Sequence, residues 1–395
     1  MEKPKHAGPP PLRGKDTQFT SETVTERLPK NARRVLAENR LPDKAVAQIN
    51  ALLEEIQDGV IRPLPEHLAP DFEAWQRDIA PYVGQTWLEI PWFVSETYFY
   101  RRMIAAVDHF RTGLDPYAQQ KRQSLLTSAE QIKVLARQLN QLIPQGWQPD
   151  GFRLLLLADL WGNQADMSMW SVGDAAMPNH ANKEDQSAHL LVDDETAVTQ
   201  LLQHPAPQID FIIDNAGFEL IGDLCLADYL LATEQTVTVK YHLKLFPTFV
   251  SDATIVDVEG TVAFLRQHED ADLRALGARL TAYLIDGRLQ LATHPFWTSP
   301  HPLWQMPADI QQALGKARLV ISKGDANYRR ALGDAPWPHT TPITDIVRQP
   351  PARLLFLRTG KSEPLAGLSE AQSAKMAQAE EDWLINGRWG VIQLV

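Results

Sequence analysis

The pattern of apolar positions changes character near residue 150. In the segment 43–59 the apolar residues share one face of a predicted helix. They are Val46, Ile49, Leu52, Leu53 and Ile56. The segment 129–143 repeats this spacing, and the segment 91–110 has the composition of a mostly buried helix that begins after Pro91. The sequence therefore predicts a helical N-terminal lobe over residues 1–150.

Beyond residue 150, short apolar runs alternate with longer segments of helical spacing. The five runs cover residues 153–159, 210–214, 237–243, 318–322 and 353–358, and a last run covers 388–395. Such alternation is typical of βαβ units that form a mostly parallel sheet. Because most of the runs are apolar throughout, we expect both faces of the sheet to be covered. The predicted fold class is α/β, with the sheet in a domain over residues 151–395.

A polar segment follows each of the first five runs. These segments are Asn163 with Asp166, Asp214 with Asn215, the loop that ends at Asp252, the segment 323–330 and the segment 359–361. If the strands are parallel, their carboxyl ends meet at one edge of the sheet, where ligands bind in open α/β folds. Oxygen-bearing side chains come from the first three segments and cations from the last two. That distribution suits a metal ion beside an anion.

Asp214, Asn215 and Asp252 form the strongest candidate for a metal site. All three offer oxygen and none is Cys or His, which favours Mg²⁺ or Mn²⁺ over structural Zn²⁺. Gly217 allows the backbone to turn directly after the first pair. The alternative without a metal is that Asp214 and Asn215 cap the helix that follows them.

Two basic segments form the candidate anion site. The segment KGDANYRR (323–330) offers amide, hydroxyl and guanidinium donors to a sugar or a phosphate. Its alternative is a polar turn that starts a helix and carries solvated arginines. The segment RTGK (358–361) provides Lys361 as a point charge for a phosphate, or alternatively forms a basic surface loop.

Composition narrows the classes of function. The net charge of −11 argues against a nucleic-acid partner. No apolar run approaches the roughly 20 residues of a membrane span, and the first residues do not resemble a signal peptide. We therefore expect a soluble, cytoplasmic protein, and the sequence leaves its oligomeric state open. The single cysteine excludes an intrachain disulfide. HExxH, GxSxG and GxGxxG motifs are absent, which disfavours histidine-based zinc, serine-hydrolase and dinucleotide chemistry.

Four motifs in a fixed order resemble the damage-control phosphatase family, which includes the acidic-residue methyltransferase-like proteins. They are DNAGFE (214–219), FVSD (249–252), KGDANYRRALGD (323–334) and RTGK (358–361). The resemblance implies a helical lobe on a three-layer α/β/α domain. The RTxK element is similar to that of the subgroup active on sugar phosphates. The loop before Asp252 departs from the family pattern, since it has KLFPT where an isoleucine-proline-tryptophan sequence is expected.

The resemblance also implies roles for individual residues. The metal ligands would be Asp214, Asn215 and Asp252, which together with Lys361 form the predicted catalytic set. The predicted substrate contacts are Asp325, Ala326, Asn327, Tyr328, Arg329 and Lys361, with Asn163 and Glu219 as supporting residues.

We therefore expect a metal-dependent phosphatase that hydrolyses small sugar phosphates such as hexose or pentose phosphomonoesters. The expected cofactor is Mn²⁺ or Mg²⁺, with Co²⁺ or Ni²⁺ as further possibilities. One alternative is an S-adenosylmethionine-dependent carboxyl methyltransferase that acts on acidic side chains. Another is a sugar-phosphate sensor without catalytic activity.

Overall fold

The computed structural model describes residues 8–65, 69–162 and 188–395. The described part before residue 162 contains helices and no strand of the sheet. Its α-helices are Gln18–Glu22, Leu28–Glu38, Asp43–Asp58, Phe72–Ile79, Trp92–Ala106, His109–Thr112, Ala118–Thr127, Ala129–Leu142 and Pro149–Trp161, with a π-helix at Thr23–Arg27. Across the described ranges, every helix is too short or too polar to cross a lipid bilayer.

A seven-stranded sheet forms the centre of the remaining chain. Its strands are β1 (Leu190–Asp193), β2 (Ala206–Ile212), β3 (Thr236–Leu243), β4 (Leu289–Thr293), β5 (Leu319–Lys323), β6 (Arg353–Thr359) and β7 (Gly390–Leu394). Their spatial order is β1-β7-β6-β5-β2-β3-β4. The five strands from β6 to β4 are mutually parallel, whereas β7 is antiparallel to β6 and parallel to β1. The predicted α/β fold with a mostly parallel sheet is confirmed.

Helices cover both faces of this sheet. They are Glu195–Leu201, Phe218–Ala232, Ile255–Gln267, Ala271–Asp286, Ala308–Leu314, Gly324–Leu332, Ile343–Ile346 and Glu370–Ala379. Alternate residues of one strand belong to different cores, since Phe211 packs in one and Ile212 in the other. The first core also contains the helices Ala129–Leu142 and Pro149–Trp161. The arrangement is a three-layer α/β/α sandwich.

The segment 153–159 was expected to be a strand, and this prediction is wrong. It lies inside the helix Pro149–Trp161, whose residues from Leu155 onward are buried. A short apolar run does not distinguish a buried strand from a buried helix. Its four consecutive leucines favour a helix because their side chains are not branched at Cβ. Pro149 at the first helical position adds a second helix signal.

Two strands had no counterpart in the prediction. The strands β1 and β4 have only four and five residues, and each is only partly buried. Both lie at the edges of the sheet, where short and polar strands are common. The terminal strand predicted within 388–395 is present as β7, and its direction opposes that of β6.

A buried arginine joins the helical lobe to the sheet domain. The Arg329 guanidinium is 2.7 Å from a Glu96 carboxylate oxygen and 2.7 Å from an Asp334 carboxylate oxygen. It also lies 3.6 Å from the centre of the Trp92 ring. The second oxygen of Asp334 accepts the backbone N–H of Phe93 at 3.1 Å. Since Glu96, Trp92 and Phe93 belong to the helix Trp92–Ala106, this cluster fixes one lobe on the other.

Replacing Arg329 by Met should lower the free energy of unfolding by about 3–5 kcal/mol, because two buried carboxylates lose their cation. Chemical denaturation followed by circular dichroism measures the loss. The matched control is Arg34→Met, which breaks a largely exposed pair with Glu38 and should cost less than about 1 kcal/mol. Equal losses in the two variants would contradict the proposed junction.

Candidate active site

A cavity of about 310 Å³ lies at the edge of the sheet where β2, β3, β5 and β6 end. It contains most of the residues singled out from the sequence. Those that line it are Asp214, Asn215, Glu219, Asp252, Asp325, Ala326 and Lys361. Asn163, also predicted, lies outside the described residues. The helix Pro149–Trp161 reaches the same cavity through Leu160, although it is not the strand that was expected there.

Backbone hydrogen bonds hold the loops after β2 and β3 together. The Ala253 N–H donates to the Asp214 carbonyl at 2.7 Å, and the Ala216 N–H donates to the Ser251 carbonyl at 2.7 Å. These bonds form an isolated antiparallel bridge between Asn215 and Asp252. The side chains of Asp214 and Asp252, distant in sequence, therefore line one cavity.

The Asn215 amide orders the acidic side of the cavity. Its nitrogen donates to Asp214 at 2.9 Å and to Glu219 at 2.8 Å, and its oxygen accepts the Ser251 hydroxyl at 2.5 Å. That oxygen retains a second lone pair for another partner. The capping alternative is wrong, because the following helix has Gly217 at its N-cap position and no side chain caps it.

Two buried carboxylates in this cavity are incompletely paired. Asp214 and Asp252 are 5% and 1% exposed; Asp214 Oδ1 accepts no hydrogen bond, and Asp252 Oδ2 lies 3.0 Å from the Lys244 ammonium. Burial and the nearby Asp252 charge raise the pKa of Asp214 well above its usual range. Burial also raises the pKa of Asp252, although Lys244 opposes that shift. Buried anionic oxygens without donors are costly, which makes them suitable ligands for a cation.

Lys244 is a site residue that the sequence interpretation missed. Its buried ammonium lies 3.0 Å from Asp252 Oδ2 and 3.8 Å from Asp214 Oδ1. It forms a buried ion pair with Asp252. The sequence did contain an indication of its role. Lys244 directly follows β3, just as Asp214 closely follows β2, so both lie at the same edge of the sheet. Its charge offsets part of the repulsion between the two carboxylates.

The donor set fits a divalent cation that keeps other ligands from solvent or substrate. The described residues contain no group of three or more His, Cys, Asp or Glu arranged as a complete metal site. Two carboxylates with an amide oxygen match the way Mg²⁺ is held, by few protein oxygens together with waters and substrate phosphates. Gly324 permits this arrangement, because a Cβ at that position would overlap the Asp214 carboxylate.

Asp325, another acid that lines the cavity, is paired with a buried arginine. The Arg358 guanidinium is 2.8 Å from Asp325 Oδ1, which also accepts the Ser362 hydroxyl at 2.9 Å. Burial alone would favour the neutral acid, but the Arg358 and Arg329 charges and these hydrogen bonds lower the pKa of Asp325. Lys361 is half-buried and forms no ion pair within the described part of the chain. Asp325 therefore stays ionised, and Lys361 is available to an anion.

Three predicted substrate contacts do not line the cavity. The Asn327 amide donates to the Lys323 carbonyl at 2.9 Å and the Ile213 carbonyl at 3.3 Å. The Tyr328 hydroxyl donates to Gln393 at 2.9 Å, and Arg329 joins the two lobes. These side chains support the fold instead, because only the first turn of the helix Gly324–Leu332 faces the cavity.

Lys323, which lines the cavity, belongs to a buried cluster of charged side chains. The Lys323 ammonium is 2.5 Å from Asp159 and 3.5 Å from Asp223. Burial raises the pKa of Asp159 to about 6, against the influence of Lys323. Lys323 therefore serves as the counter-ion of two buried acids.

Arg27, from the helical lobe, also lines the cavity. No sequence motif near Arg27 indicated this.

Gly324→Ala should destabilise the protein more than Gly287→Ala. Both glycines have positive φ, at 77° and 80°, but the added Cβ meets Asp214 only at Gly324 and open space at Gly287. Gly287→Ala should cost the backbone strain alone, about 1–2 kcal/mol, and Gly324→Ala a further 1–3 kcal/mol, roughly. Denaturation midpoints and slopes measure both. A similar cost for the two variants would show that the approach to Asp214 is not tight.

Comparison with known proteins identifies the family of this chain. The family model for the damage-control phosphatase ARMT1-like domain matches residues 23–376. The chain is 31% identical to damage-control phosphatase ARMT1 of Danio rerio over 384 residues, covering 89% of this chain and 85% of the relative. It is 32% identical to that of Mus musculus over 381 residues, covering 89% and 86%. A DUF89 family structure from Pyrococcus horikoshii aligns over 95% of this chain and 98% of its own, with 16% identity and a TM-score of 0.47. On the strength of the family match and the two relatives, the chain belongs to the damage-control phosphatase ARMT1-like family, a family of hydrolases.

Proposed function

We propose that this protein hydrolyses small sugar phosphates with the help of a divalent cation. The observation that carries the proposal is the pair of buried carboxylates of Asp214 and Asp252, which line the same cavity as Lys361 and include one oxygen, Asp214 Oδ1, without a hydrogen-bond donor. An acidic pocket alone would repel a phosphate, and a lysine alone would bind any anion. A cation between the carboxylates and the substrate would neutralise the acidic residues, so that a phosphate could bind there and also contact Lys361.

The cation would be held by Asp214, Asn215 and Asp252, and Mg²⁺ or Mn²⁺ suits this oxygen set best. When bound, it would supply Lewis-acid polarisation of a phosphoryl oxygen. Lys244 offsets part of the repulsion between the two carboxylates in the absence of the cation. Hydrogen bonds with Ser251 and Glu219 hold the Asn215 side chain in place and thereby fix the direction of its amide oxygen.

The remaining residues bind and orient the substrate. The Lys361 ammonium neutralises negative charge on the phosphoryl oxygens, which is the main contribution that proteins make to phosphoryl transfer. Asp325, kept ionised by Arg358, accepts hydrogen bonds from sugar hydroxyls near the cation side. Arg27, from the helical lobe, adds a cation at the cavity wall. A volume of about 310 Å³ favours a small monosaccharide phosphate over a polymer.

Removing divalent cations should abolish phosphate release. Protein treated with a chelator and then assayed on hexose and pentose phosphates should recover activity with Mg²⁺ or Mn²⁺. Asp214→Asn should lose more than about 100-fold in kcat/KM, since a direct ligand matters at least as much as its supporting residues. The matched control is Asp210→Asn, a buried aspartate near the end of the same strand that pairs with His242 outside the cavity.

Unchanged hydrolysis after chelation would exclude the metal proposal. Methyl transfer from S-adenosylmethionine to acidic side chains, without phosphate release on any sugar phosphate, would favour the methyltransferase alternative. Ligand binding without turnover in the presence of every divalent cation would favour a sensor.

Lys361→Met should lower kcat by about 10²–10³-fold, the loss typical of one group that stabilises transition-state charge. Thermal stability should be unchanged, because Lys361 has no ion pair to lose among the described residues. Lys375→Met, on an exposed helix outside the cavity, is the matched control and should leave kcat unchanged. A variant with wild-type kcat and raised KM would assign Lys361 to substrate binding alone.

A further inference from the structure

A second, larger groove lies where the helical lobe meets the sheet domain. It consists of two adjoining cavities of about 360 and 440 Å³ that share Asp78, His301 and Gln305. We call it the interlobe groove and define it by Arg77, Tyr82, Phe93, His301, Trp304 and Arg330. These volumes are typical of small-molecule sites, which often lie between domains.

The interlobe groove is separate from the catalytic cavity. The two have no lining residue in common. Phe93, on the groove side, stacks against Phe249, on the cavity side, with ring centres 6.0 Å apart. These two rings form part of the wall between them.

Two cations of the groove, Arg77 and Arg330, have no carboxylate partner within the ranges that the structure describes. Three acids also line the groove, and each lies within 3.0 Å of a basic side chain; they are Asp71, Asp78 and Asp334. The partner of Asp78 is His301, which offsets its charge only when the ring is protonated. Arg77 and Arg330 are therefore the groups of the groove that are suited to an anion.

Arg330 is the more unusual of the two arginines. It is 3% exposed, and its guanidinium is held by backbone carbonyls alone, at 2.5 Å from His301 and 2.9 Å from Ser299. Its Nε–H has no acceptor. Burial lowers the pKa of Arg330 to about 9, with partial compensation from Asp252. A buried cation with an unused donor and no counter-ion is costly, and a bound anion removes that cost.

Aromatic and proline side chains line much of the rest of the groove. Tyr82, Phe93 and Trp304 present aromatic rings, and Pro81, Pro300 and Pro302 add rigid apolar surface. Aromatic side chains and prolines lose little conformational freedom when a planar ring stacks on them. The groove thus offers an anion site beside a surface for a ring.

We propose that the interlobe groove binds a small organic anion that carries a planar apolar ring, with the acidic group at Arg330 and Arg77. An aryl phosphate and an aryl carboxylate share this chemistry. The site lies at the far end of the helix Gly324–Leu332, whose first residues line the catalytic cavity.

Isothermal titration calorimetry with phenylphosphonate tests the proposal, because its P–C bond resists hydrolysis. The full chain is used with a chelator present, so that the catalytic cavity holds no divalent cation. Phenylphosphonate should bind, and methylphosphonate, which lacks the ring, should bind at least about tenfold more weakly. Benzoate in a parallel titration reports whether a carboxylate replaces the phosphonate.

Variants assign the binding to the groove. Arg330→Met should weaken binding of phenylphosphonate by at least about tenfold, and Asp214→Asn should leave it unchanged. Arg77→Gln, at an exposed position that does not endanger folding, should weaken binding about threefold, whereas the exposed Arg348→Gln outside the groove should not. If Arg330→Met fails to fold by circular dichroism, Arg77→Gln decides.

Three results would overturn the proposal. They are the absence of binding, equal binding of methylphosphonate, and binding that Asp214→Asn weakens but the groove variants do not. The first two leave the phosphatase proposal untouched, because it depends on the metal-loaded catalytic cavity. The third would place the anion in the catalytic cavity instead of the groove.

Discussion

The candidate active-site cavity depends on a short backbone bridge between the loops that follow β2 and β3. Two hydrogen bonds of 2.7 Å, on either side of the Asn215–Asp252 pair, bring two buried carboxylates together. Like charges in a poorly solvated site repel each other, and Lys244 compensates only part of that repulsion. The fold therefore brings acidic groups together in a way that a divalent cation would stabilise.

The helix Gly324–Leu332 contributes to this arrangement at both of its ends. The first turn of the helix Gly324–Leu332 passes so close to Asp214 that only glycine fits at its start. The far end of that helix carries Arg329, which is fixed between Glu96 and Asp334 at the lobe junction. One helix thus connects the catalytic cavity to the helical lobe. The interlobe groove lies at that same junction, where Arg330 contributes to its wall.

Much of this arrangement was predictable from sequence, for identifiable reasons. Strands β2, β3, β5 and β6 are apolar runs followed by polar turns, and the parallel topology then requires their ends to meet. The segment 153–159 was wrongly predicted as a strand, because a short leucine-rich run is equally typical of a buried helix. The motif 323–330 groups Asp325 with Asn327, Tyr328 and Arg329, and the sequence therefore suggested one shared site. In the helix that the motif forms, successive side chains point in different directions, and these three do not line the cavity. Arg27 comes from a distant helix, and pattern alone does not predict such a contact.

The central claim is that Asp214 and Asp252 together hold one divalent cation. Titration of the metal-free protein with Mn²⁺, followed by electron paramagnetic resonance of the free ion, tests it without any assumption about substrate. The account predicts one tightly bound Mn²⁺ per chain in the wild type and its loss in Asp252→Asn. Tight binding that survives Asp252→Asn, or no binding in the wild type, would contradict it.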